Sequence, residues 1–267
     1  MKYFIVADVH AHFTILRETL QKAGFSDRRD HKLILLGDAF DRGGETGEVA
    51  EFLLSLHDAE RLVYVRGNHE DLMVQCLQQL AGGADPVEIA LSHHGHNGTW
   101  QTALDLAGME EREALRFPLE LISRVRSTRV YRELMPASVD FFELGSLVFV
   151  HGYIPCPEHG VKPFLTYSAH PDWRNATPEE WRRARWLNGV KLAVEQGIRI
   201  PHKTVVCGHW HTSDYHSRYE HKGSEWGKDA DFSPYFSQDG AAIGMDACTA
   251  HSHTMNCLVC DGEGKFL

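Results

Sequence analysis

Three short apolar runs, spaced evenly along the first third of the chain, each lead into a polar residue of a type that binds metals. The runs cover residues 2–6, 32–36 and 61–65, and the polar residues after them are Asp8, Asp38 and Asn68. Apolar residues at helical spacing follow each run, and the 30-residue period matches a βαβ unit. Because ligands bind beyond the carboxyl ends of parallel strands, this pattern predicts an α/β fold with a site at one sheet edge.

The second half of the chain continues the strand pattern. Residues 139–144 and 146–150 read as paired strands around Gly145, and the second leads to His151. Residues 203–207 form another predicted strand, which leads to His209 and His211. Two closing strands, 241–245 and 254–260, are expected to complete the sheet.

The segments between these strands predict one long helix and one long loop. Thr177, Pro178 and Glu180 are typical of a helix start, and we expect that helix to run to about Gln196. Residues 213–240 are polar and contain glycine, so a loop is expected there. No linker composition divides the chain. We therefore predict a single domain over residues 1–267, with a cap-like helical insertion at about 82–137 and a second insertion at about 155–202.

Composition limits the partners. The formal net charge of -10 disfavours general binding to nucleic acid, because phosphate backbones are repelled. No apolar stretch has the length needed to cross a bilayer, so no membrane partner is expected. The first residues lead into a strand-like run rather than a signal peptide, which predicts a cytoplasmic protein with its six cysteines reduced.

Five blocks in the sequence present side chains that could bind metal ions. They are Asp8-x-His10, Gly37-Asp38-x-x-Asp41-Arg42-Gly43, Gly67-Asn68-His69-Glu70, His151-Gly152 and Gly208-His209-x-His211. Two divalent cations could neutralise a phosphoryl group and generate hydroxide at neutral pH, and Asp38 is the natural bridge between them. Mixed aspartate, asparagine and histidine ligands suit Mn²⁺, Fe or Zn²⁺ better than Ca²⁺.

These blocks together resemble the calcineurin-like metallophosphoesterase superfamily. The stretches GDAFDRG and RGNHE resemble, more narrowly, its phosphoprotein phosphatase branch, which includes serine/threonine phosphatases and bacterial symmetrical diadenosine tetraphosphatases. The match extends over roughly residues 4–212. The resemblance implies a four-layer αββα sandwich with mixed sheets and a helical cap insertion.

The resemblance also implies a role for each matching position. Asp8, His10 and Asp38 would hold the first metal ion, with His211 as a further ligand. The ligands of the second ion would be Asp38, Asn68, His151 and His209. His69 would be the general acid, oriented by Asp41, and Arg42 would bind the substrate phosphate together with Asn68. A water activated by both metal ions would then attack the phosphorus in line.

The substrate remains open between two classes. We expect hydrolysis of a phosphomonoester, with phosphoserine or phosphothreonine in a protein as the first choice. The alternative is a symmetrical dinucleoside polyphosphate such as diadenosine tetraphosphate, and a non-catalytic metal-binding scaffold is a distant third. The expected cofactors are two divalent ions, Mn²⁺ first, with Fe, Zn²⁺ or Mg²⁺ as alternatives. A second phosphate-binding arginine stays unassigned, because the expected Trp-x-Arg is Trp186-Leu187-Asn188 here.

Several other clusters of histidine, tryptophan and arginine could be functional, but we expect structural roles for them. We expect the cluster His93, His94 and His96 to be exposed or to pack within the cap. Trp173, Trp181 and Trp186 are expected to pack in the core or cap rather than to form a platform for a base. Arg182, Arg183 and Arg185 are expected on a solvated helix face. Asp246 lies near the site in the sequence pattern, and an indirect role behind the metal ligands is left open.

Overall fold

The computed structural model describes residues 1–160 and 165–267, and it contains eleven strands and thirteen α-helices within those ranges. The strands are β1 (Lys2–Val6), β2 (His31–Leu36), β3 (Leu62–Val65), β4 (Phe142–Leu144), β5 (Leu147–Phe149), β6 (Glu158–His159), β7 (Thr166–Tyr167), β8 (Thr204–His211), β9 (Tyr235–Phe236), β10 (Ala242–Asp246) and β11 (Leu258–Asp261). The helices are α1 (Phe13–Lys22), α2 (Thr46–Asp58), α3 (Asn68–Ala81), α4 (Pro86–Leu91), α5 (His93–His96), α6 (Thr99–Ala107), α7 (Glu111–Arg116), α8 (Pro118–Ser127), α9 (Met135–Ala137), α10 (Pro178–Ala184), α11 (Gly189–Gln196), α12 (Thr212–Glu220) and α13 (Thr249–Ser252). A π-helical turn covers Val130–Leu134, and a 3-10 turn covers Trp173–Asn175.

Two mixed sheets face each other. The first has the strand order β11-β1-β2-β3, in which β1, β2 and β3 are parallel and β11 is antiparallel. The second has the order β4-β5-β8-β10-β9, with β5, β8 and β10 parallel. Strands β6 and β7 form a separate hairpin. The predicted four-layer αββα sandwich with mixed sheets is confirmed.

Alternation along each strand divides the core into layers. In β1, Phe4 and Val6 pack among the helices of the outer face, whereas Tyr3 and Ile5 point to the other sheet. This follows from the two-residue period of a strand, which sends successive side chains to opposite faces. Since both faces of β1 and β2 are covered, each strand continues after its polar first residues as an unbroken apolar run rather than alternating.

The predicted cap region is helical and packs on the first sheet's helices. Helices α4 to α8 and the turn after them contact α2, α3 and one another, and their apolar residues join the same core cluster as the outer face of β1. We therefore propose that residues 1–267 are one domain with an insertion at about 82–137. The second predicted insertion, about 155–202, includes residues 161–164, which lie outside the described residues.

The two closing strands differ from the prediction. The segment at 241–245 becomes β10 in the second sheet, while the last strand, β11, pairs antiparallel with β1 in the first. They therefore close two different sheets instead of one. Strand propensity in a sequence gives no information about which sheet a strand joins, because partner choice depends on distant residues.

The predicted helix from Thr177 to Gln196 is wrong in one respect. The start is confirmed, since Thr177 and Glu180 form the expected capping box. The helix ends at Ala184, however, and α11 begins after Asn188, whose side chain accepts from the backbone N–H of Lys191. An asparagine that caps a new helix competes with continuation of the old one.

The predicted loop at 213–240 is also partly wrong, because α12 occupies its first part. Tyr215 and His216 are buried in this helix, and Tyr215 packs with Tyr235 of β9. The buried residues of this polar helix are hydroxyl and aromatic side chains rather than aliphatic ones. Within the described residues, no helix is both long and apolar enough to span a membrane.

The layer between the sheets predicts a matched pair of stability effects. Phe149 is fully buried there, so Phe149→Ala should lower the free energy of unfolding by about 3–5 kcal/mol. Phe236, about half exposed on β9, is the control, and Phe236→Ala should cost less than about 1 kcal/mol. Denaturant unfolding measures both, and equal losses would contradict the assigned layers.

Candidate metal centre and catalytic site

The predicted metal ligands leave the strand ends along one edge, where the two sheets meet. Asp8 and His10 follow β1, Asp38 follows β2, Asn68 begins α3 directly after β3, His151 follows β5, and His209 and His211 end β8. The parallel direction of these strands explains the convergence, because their carboxyl ends lie at the same side of each sheet. The edge thus joins donors from both sheets in one place.

Two groups of donor atoms meet at this edge. The ligand atoms of Asp38, His151 and His209 lie within 4.8 Å of one another, and so do those of His10, Asp38 and His69. Asp38 belongs to both groups. It therefore has the position expected of a carboxylate that bridges two cations, and the donor set of imidazoles and carboxylate suits divalent transition metals.

The imidazoles of this centre are held in a ligand-ready orientation. His151 Nδ1 lies 2.7 Å from the Leu36 carbonyl oxygen, and His10 Nδ1 lies 3.1 Å from that of Phe40. A carbonyl only accepts, so each Nδ1 carries the proton and each Nε2 presents its lone pair; that of His10 faces Arg42 Nη1 at 2.9 Å. This second hydrogen bond is the usual way in which a metal-binding histidine is fixed.

Three predicted ligands, Asp8, Asn68 and His211, are not members of the two donor groups. Both Asp8 carboxylate oxygens accept from the backbone N–H of His209, at 3.1 and 3.0 Å. Asn68 Oδ1 lies 2.7 Å from His151 Nε2. His211 is in neither group, and its Nε2 lies 3.9 Å from the carboxylate of Asp246. The structure thus brings Asp8 and Asn68 against other ligands and places His211 farther out.

Burial dominates the electrostatics of the acids. It raises the pKa of Asp8 well above its usual value, and the nearby carboxylates of Asp246 and Asp38 raise it further. Burial also raises the pKa of Asp246. For Asp38 burial acts in the same direction, but the surrounding imidazoles, His151 first, outweigh it and leave its pKa lowered. Among these three acids, Asp38 is therefore the one whose surroundings favour the ionised carboxylate.

Two of the histidines proposed as ligands, His209 and His10, are held neutral. Burial lowers the pKa of His209 to about 3, with a further contribution from His151. Burial also lowers the pKa of His10 well below its usual value, and the Arg42 cation adds to this. Neutral imidazole is the form that binds metal ions, so the environment favours the ligand state.

His69 is surrounded differently. Its Nδ1 lies 2.7 Å from Asp41 Oδ2, and the same oxygen accepts from Thr99 Oγ1, also at 2.7 Å. The backbone N–H of Asp41 donates to Thr102 Oγ1 at 3.0 Å. Burial lowers the pKa of His69, but the charges of Asp38 and Asp41 raise it by more, so its pKa is raised on balance. This is the arrangement of a proton donor that is fixed by a carboxylate.

Arg42 lies over the first donor group with its side chain toward solvent. Its Nη1 is 2.9 Å from His10 Nε2 and its Nη2 is 3.2 Å from His69 Nε2. Among residues 1–160 and 165–267, no carboxylate pairs with it within 4 Å. The guanidinium is therefore available to an anion that approaches the centre, as expected for a phosphate ligand.

Backbone strain is concentrated at this edge. Non-glycine residues with positive φ include Asp8 (50°), His10 (48°), Asp38 (51°), Asp41 (72°), Arg42 (64°) and His209 (67°). Such conformations cost roughly 1–3 kcal/mol each and persist where the surrounding structure imposes them, often at functional sites. The neighbouring glycines are required for a related reason, since a Cβ at Gly67 or Gly208 would overlap the carboxylate of Asp38 or Asp8.

Glu70 is an organising residue that the sequence reasoning missed. Its carboxylate accepts from the backbone N–H groups of Asp38 (3.1 Å), Ala39 (3.0 Å) and Gly67 (2.7 Å), and from the hydroxyl of Tyr64 (2.6 Å). It thereby ties the loop after β2 to the start of α3. The available signal was its position three residues after the N-cap Gly67, where a glutamate closes half of a capping box.

The histidine and arginine clusters outside the centre have structural surroundings. His93 and His96 are exposed and His94 is buried within the cap, as the sequence suggested. Arg182 and Arg183 pair with Glu179 on the surface. Arg185 corrects the expected solvated face, because it is buried and forms ion pairs with Asp71 and Asp140. Its backbone is still helical and it lies four residues after the buried Trp181, so its side chain shares the buried face of α10.

Trp186 is a second correction. Trp173 and Trp181 are buried as expected, but Trp186 is 46% exposed and lies edge-on to the ring of His209, with 5.7 Å between ring centroids. The break between α10 and α11 places it at the metal centre rather than in the core. Asn188 and Gly189, which begin the next helix, are the local signals of that break.

Comparison with known proteins agrees with this geometry. The sequence pattern of the calcineurin-like phosphoesterase family matches residues 1–255, so the chain belongs to that family. It is accordingly a metal-dependent phosphoesterase, a hydrolase that acts on phosphate ester bonds. The predicted resemblance is confirmed at this level.

The individual relatives share a low sequence identity with this chain or match only a short part of it. The asymmetrical bis(5'-nucleosyl)-tetraphosphatase PrpE of Bacillus velezensis is 25% identical over 191 residues, which cover 65% of this chain and 69% of the relative. The symmetrical bis(5'-nucleosyl)-tetraphosphatase of Buchnera aphidicola is 36% identical over 70 residues, or 26% of this chain and 24% of that protein. A cold-active protein-tyrosine phosphatase of a psychrophilic Shewanella has a similar fold, with a TM-score of 0.51 and 14% identity over 98% of this chain and 76% of that one.

The hydrogen bonds of Glu70 predict a strong effect of a small change. Glu70→Gln places an NH₂ group against N–H donors, so the free energy of unfolding should fall by about 2–3 kcal/mol. Tyr64→Phe removes one donor and should cost about 1 kcal/mol.

Glu51, an exposed residue of α2, supplies the matched control. Glu51→Gln should stay within about 0.5 kcal/mol of the unchanged protein. Thermal or denaturant unfolding of the three variants tests this, and similar losses for Glu70→Gln and Glu51→Gln would show that Glu70 does not organise the loops.

Proposed function

We propose that the chain hydrolyses a phosphomonoester with two divalent cations bound at this edge. The observation that carries the proposal is the shared position of Asp38 in both donor groups. The proposed ligands are Asp8, His10, Asp38, Asn68, His151, His209 and His211. Two such cations would neutralise charge on the phosphoryl oxygens and make water acidic enough to react at neutral pH. Mn²⁺ is our first choice, with Fe, Zn²⁺ or Mg²⁺ as alternatives.

The chain's own residues complete the reaction. Arg42 faces the centre with two nitrogens and would bind two oxygens of the phosphate as a planar fork. His69 would deliver the proton from Nε2 to the departing oxygen, while Asp41 holds the ring by Nδ1. Thr99 fixes Asp41 in turn, so this proton donor is supported from the cap.

For the substrate we propose a phosphomonoester group, with phosphoserine or phosphothreonine of a protein as one choice. A dinucleoside polyphosphate is the second candidate. It is favoured by the names of two relatives, the asymmetrical and symmetrical bis(5'-nucleosyl)-tetraphosphatases. A non-catalytic scaffold is the least supported reading, since every proposed ligand and the proposed acid are present.

The cytoplasm is the proposed compartment. All six cysteines are free of disulfides in the described part of the chain, which suits a reducing environment.

Replacing the shared carboxylate tests the two-metal arrangement. Asp38→Asn should reduce bound metal below two ions per chain and abolish hydrolysis of p-nitrophenyl phosphate. Asparagine tolerates the left-handed backbone at this position, so the fold should persist. Metal content is counted after chelation and reloading with Mn²⁺, Mg²⁺ or Zn²⁺.

The exposed Asp27 provides the control for this experiment. Asp27→Asn should bind metal and turn over substrate like the unchanged protein. Two ions per chain and normal turnover in Asp38→Asn would contradict the bridge.

Removing the proposed acid should separate chemistry from metal binding. His69→Asn should keep its metal and lose roughly a hundredfold in turnover, as expected for a missing general acid. The loss should grow as the leaving group becomes a poorer one, because such groups depend most on protonation.

His96→Asn, which changes an exposed histidine of the cap, is the matched control and should leave turnover intact. Equal losses on good and poor leaving groups in His69→Asn would reject the acid role.

A further inference from the structure

Three exposed tryptophans surround the metal centre. Trp186, Trp210 and Trp226 are 46%, 42% and 52% exposed. Trp186 and Trp210 each lie edge-on to His209, with ring centroids 5.7 and 5.8 Å away, and Trp226 lies 4.7 Å from His211. Exposed indole surface beside a reaction centre favours contact with a ligand, and the cavity lining decides which of the three tryptophans makes it.

Trp186 also forms part of a cavity. The cavity has a volume of about 640 Å³, within the range of small-molecule sites. Apolar side chains, including Pro155, Leu187 and Tyr167, line it together with Trp186. Trp186 therefore borders the cavity and the metal ligand His209 at the same time. A molecule whose phosphate reaches the metal centre can place its remaining part in this cavity.

Charged side chains in the cavity wall indicate which chemical groups the bound part of the substrate should carry. Glu158 and Glu180 lie in the cavity wall. Glu158 Oε1 accepts from Tyr167 and Glu180 Oε2 accepts from Thr177, so Glu158 Oε2 and Glu180 Oε1 are the oxygens that suit the amino group of a base. Arg183 is in the wall as well, and its Nε lies 3.1 Å from Glu179, while the guanidinium is largely exposed. It could pair with a phosphate that does not react. Arg183 is therefore a candidate for the second phosphate-binding arginine, which the Trp186-Leu187-Asn188 stretch does not contain.

We propose that this cavity binds the nucleobase of a nucleotide substrate, with the base stacked on Trp186 and the scissile phosphate at the metal centre. The proposal rests on the phosphoesterase function above and specifies its substrate class. A planar base matches the indole face, the carboxylates match its amino group, and Arg183 matches a further phosphate. Phosphoserine itself has no planar ring to place there.

Competition between two phosphomonoesters isolates the base. AMP and ribose 5-phosphate share the sugar and the phosphate, and they differ by the adenine. Both are tested as inhibitors of p-nitrophenyl phosphate hydrolysis by the metal-loaded protein. We expect the inhibition constant of AMP to be lower by roughly ten- to a hundredfold, as stacking on an aromatic side chain gives.

The tryptophans supply a matched pair of variants. Trp186→Ala should bring the two inhibition constants together, and Trp186→Phe should keep most of the difference. Trp210→Ala is the control, because Trp210 is similarly exposed and contacts the same His209 but is absent from the cavity lining. It should preserve the ratio. A ratio measured on one protein does not depend on the fraction that is folded.

Two outcomes overturn the proposal. One is equal inhibition by AMP and ribose 5-phosphate in the unchanged protein. The other is a phosphoserine peptide that competes better than AMP. If the metal-loaded protein does not turn over p-nitrophenyl phosphate, the proposed function fails instead. Calorimetry then still measures whether AMP binds more tightly than ribose 5-phosphate, and thus judges the base subsite alone.

Discussion

Buried negative charge at the meeting edge of the two sheets is the constraint on which the site depends. Asp8, Asp38 and Asp246 are each less than 5% exposed. An unpaired carboxylate in such a position costs several kcal/mol. Backbone N–H groups offset part of this cost: that of His209 donates to Asp8, and that of His69 donates to Asp38. Imidazoles around Asp38 stabilise its charge as well. Divalent cations would supply the remaining positive charge.

The cap takes part in this arrangement rather than standing apart from it. Helix α6 supplies Thr99 to the carboxylate of Asp41 and Thr102 to its backbone N–H. Directly before this helix, Gly98 has a φ of 88° and contacts the backbone of Arg42, where a Cβ would not fit. The start of α6, which carries Thr99 and Thr102, is therefore the support of the proposed acid. Changes in the cap should reach the chemistry through Asp41.

Local patterns predicted the strand ends and the candidate ligands, whereas long-range pairing escaped them. Each strand end and its polar residue lie close together in the chain, so β1 was placed correctly and the candidate ligands could be proposed from short blocks. The pairing of β11 with β1, the break before Asn188 and the helix α12 depend on contacts between distant residues. Trp186 was missed for the same reason, because its neighbour His209 belongs to another element. Glu70 had a local signal in the capping box with Gly67, but its bonds to the backbone after β2 and to Tyr64 join separate elements and no local pattern predicts them.

The left-handed residues of the site have a consequence for how such a chain can change over generations. Each holds its backbone in a conformation that glycine or asparagine adopts at lower cost. Replacement of Asp8 or Asp38 by those residues would relax the backbone while removing a ligand. Selection for activity and selection for stability therefore oppose each other at these positions. In a lineage that no longer needs catalysis, such replacements would be accepted first. The descendants would keep the fold and lose the activity.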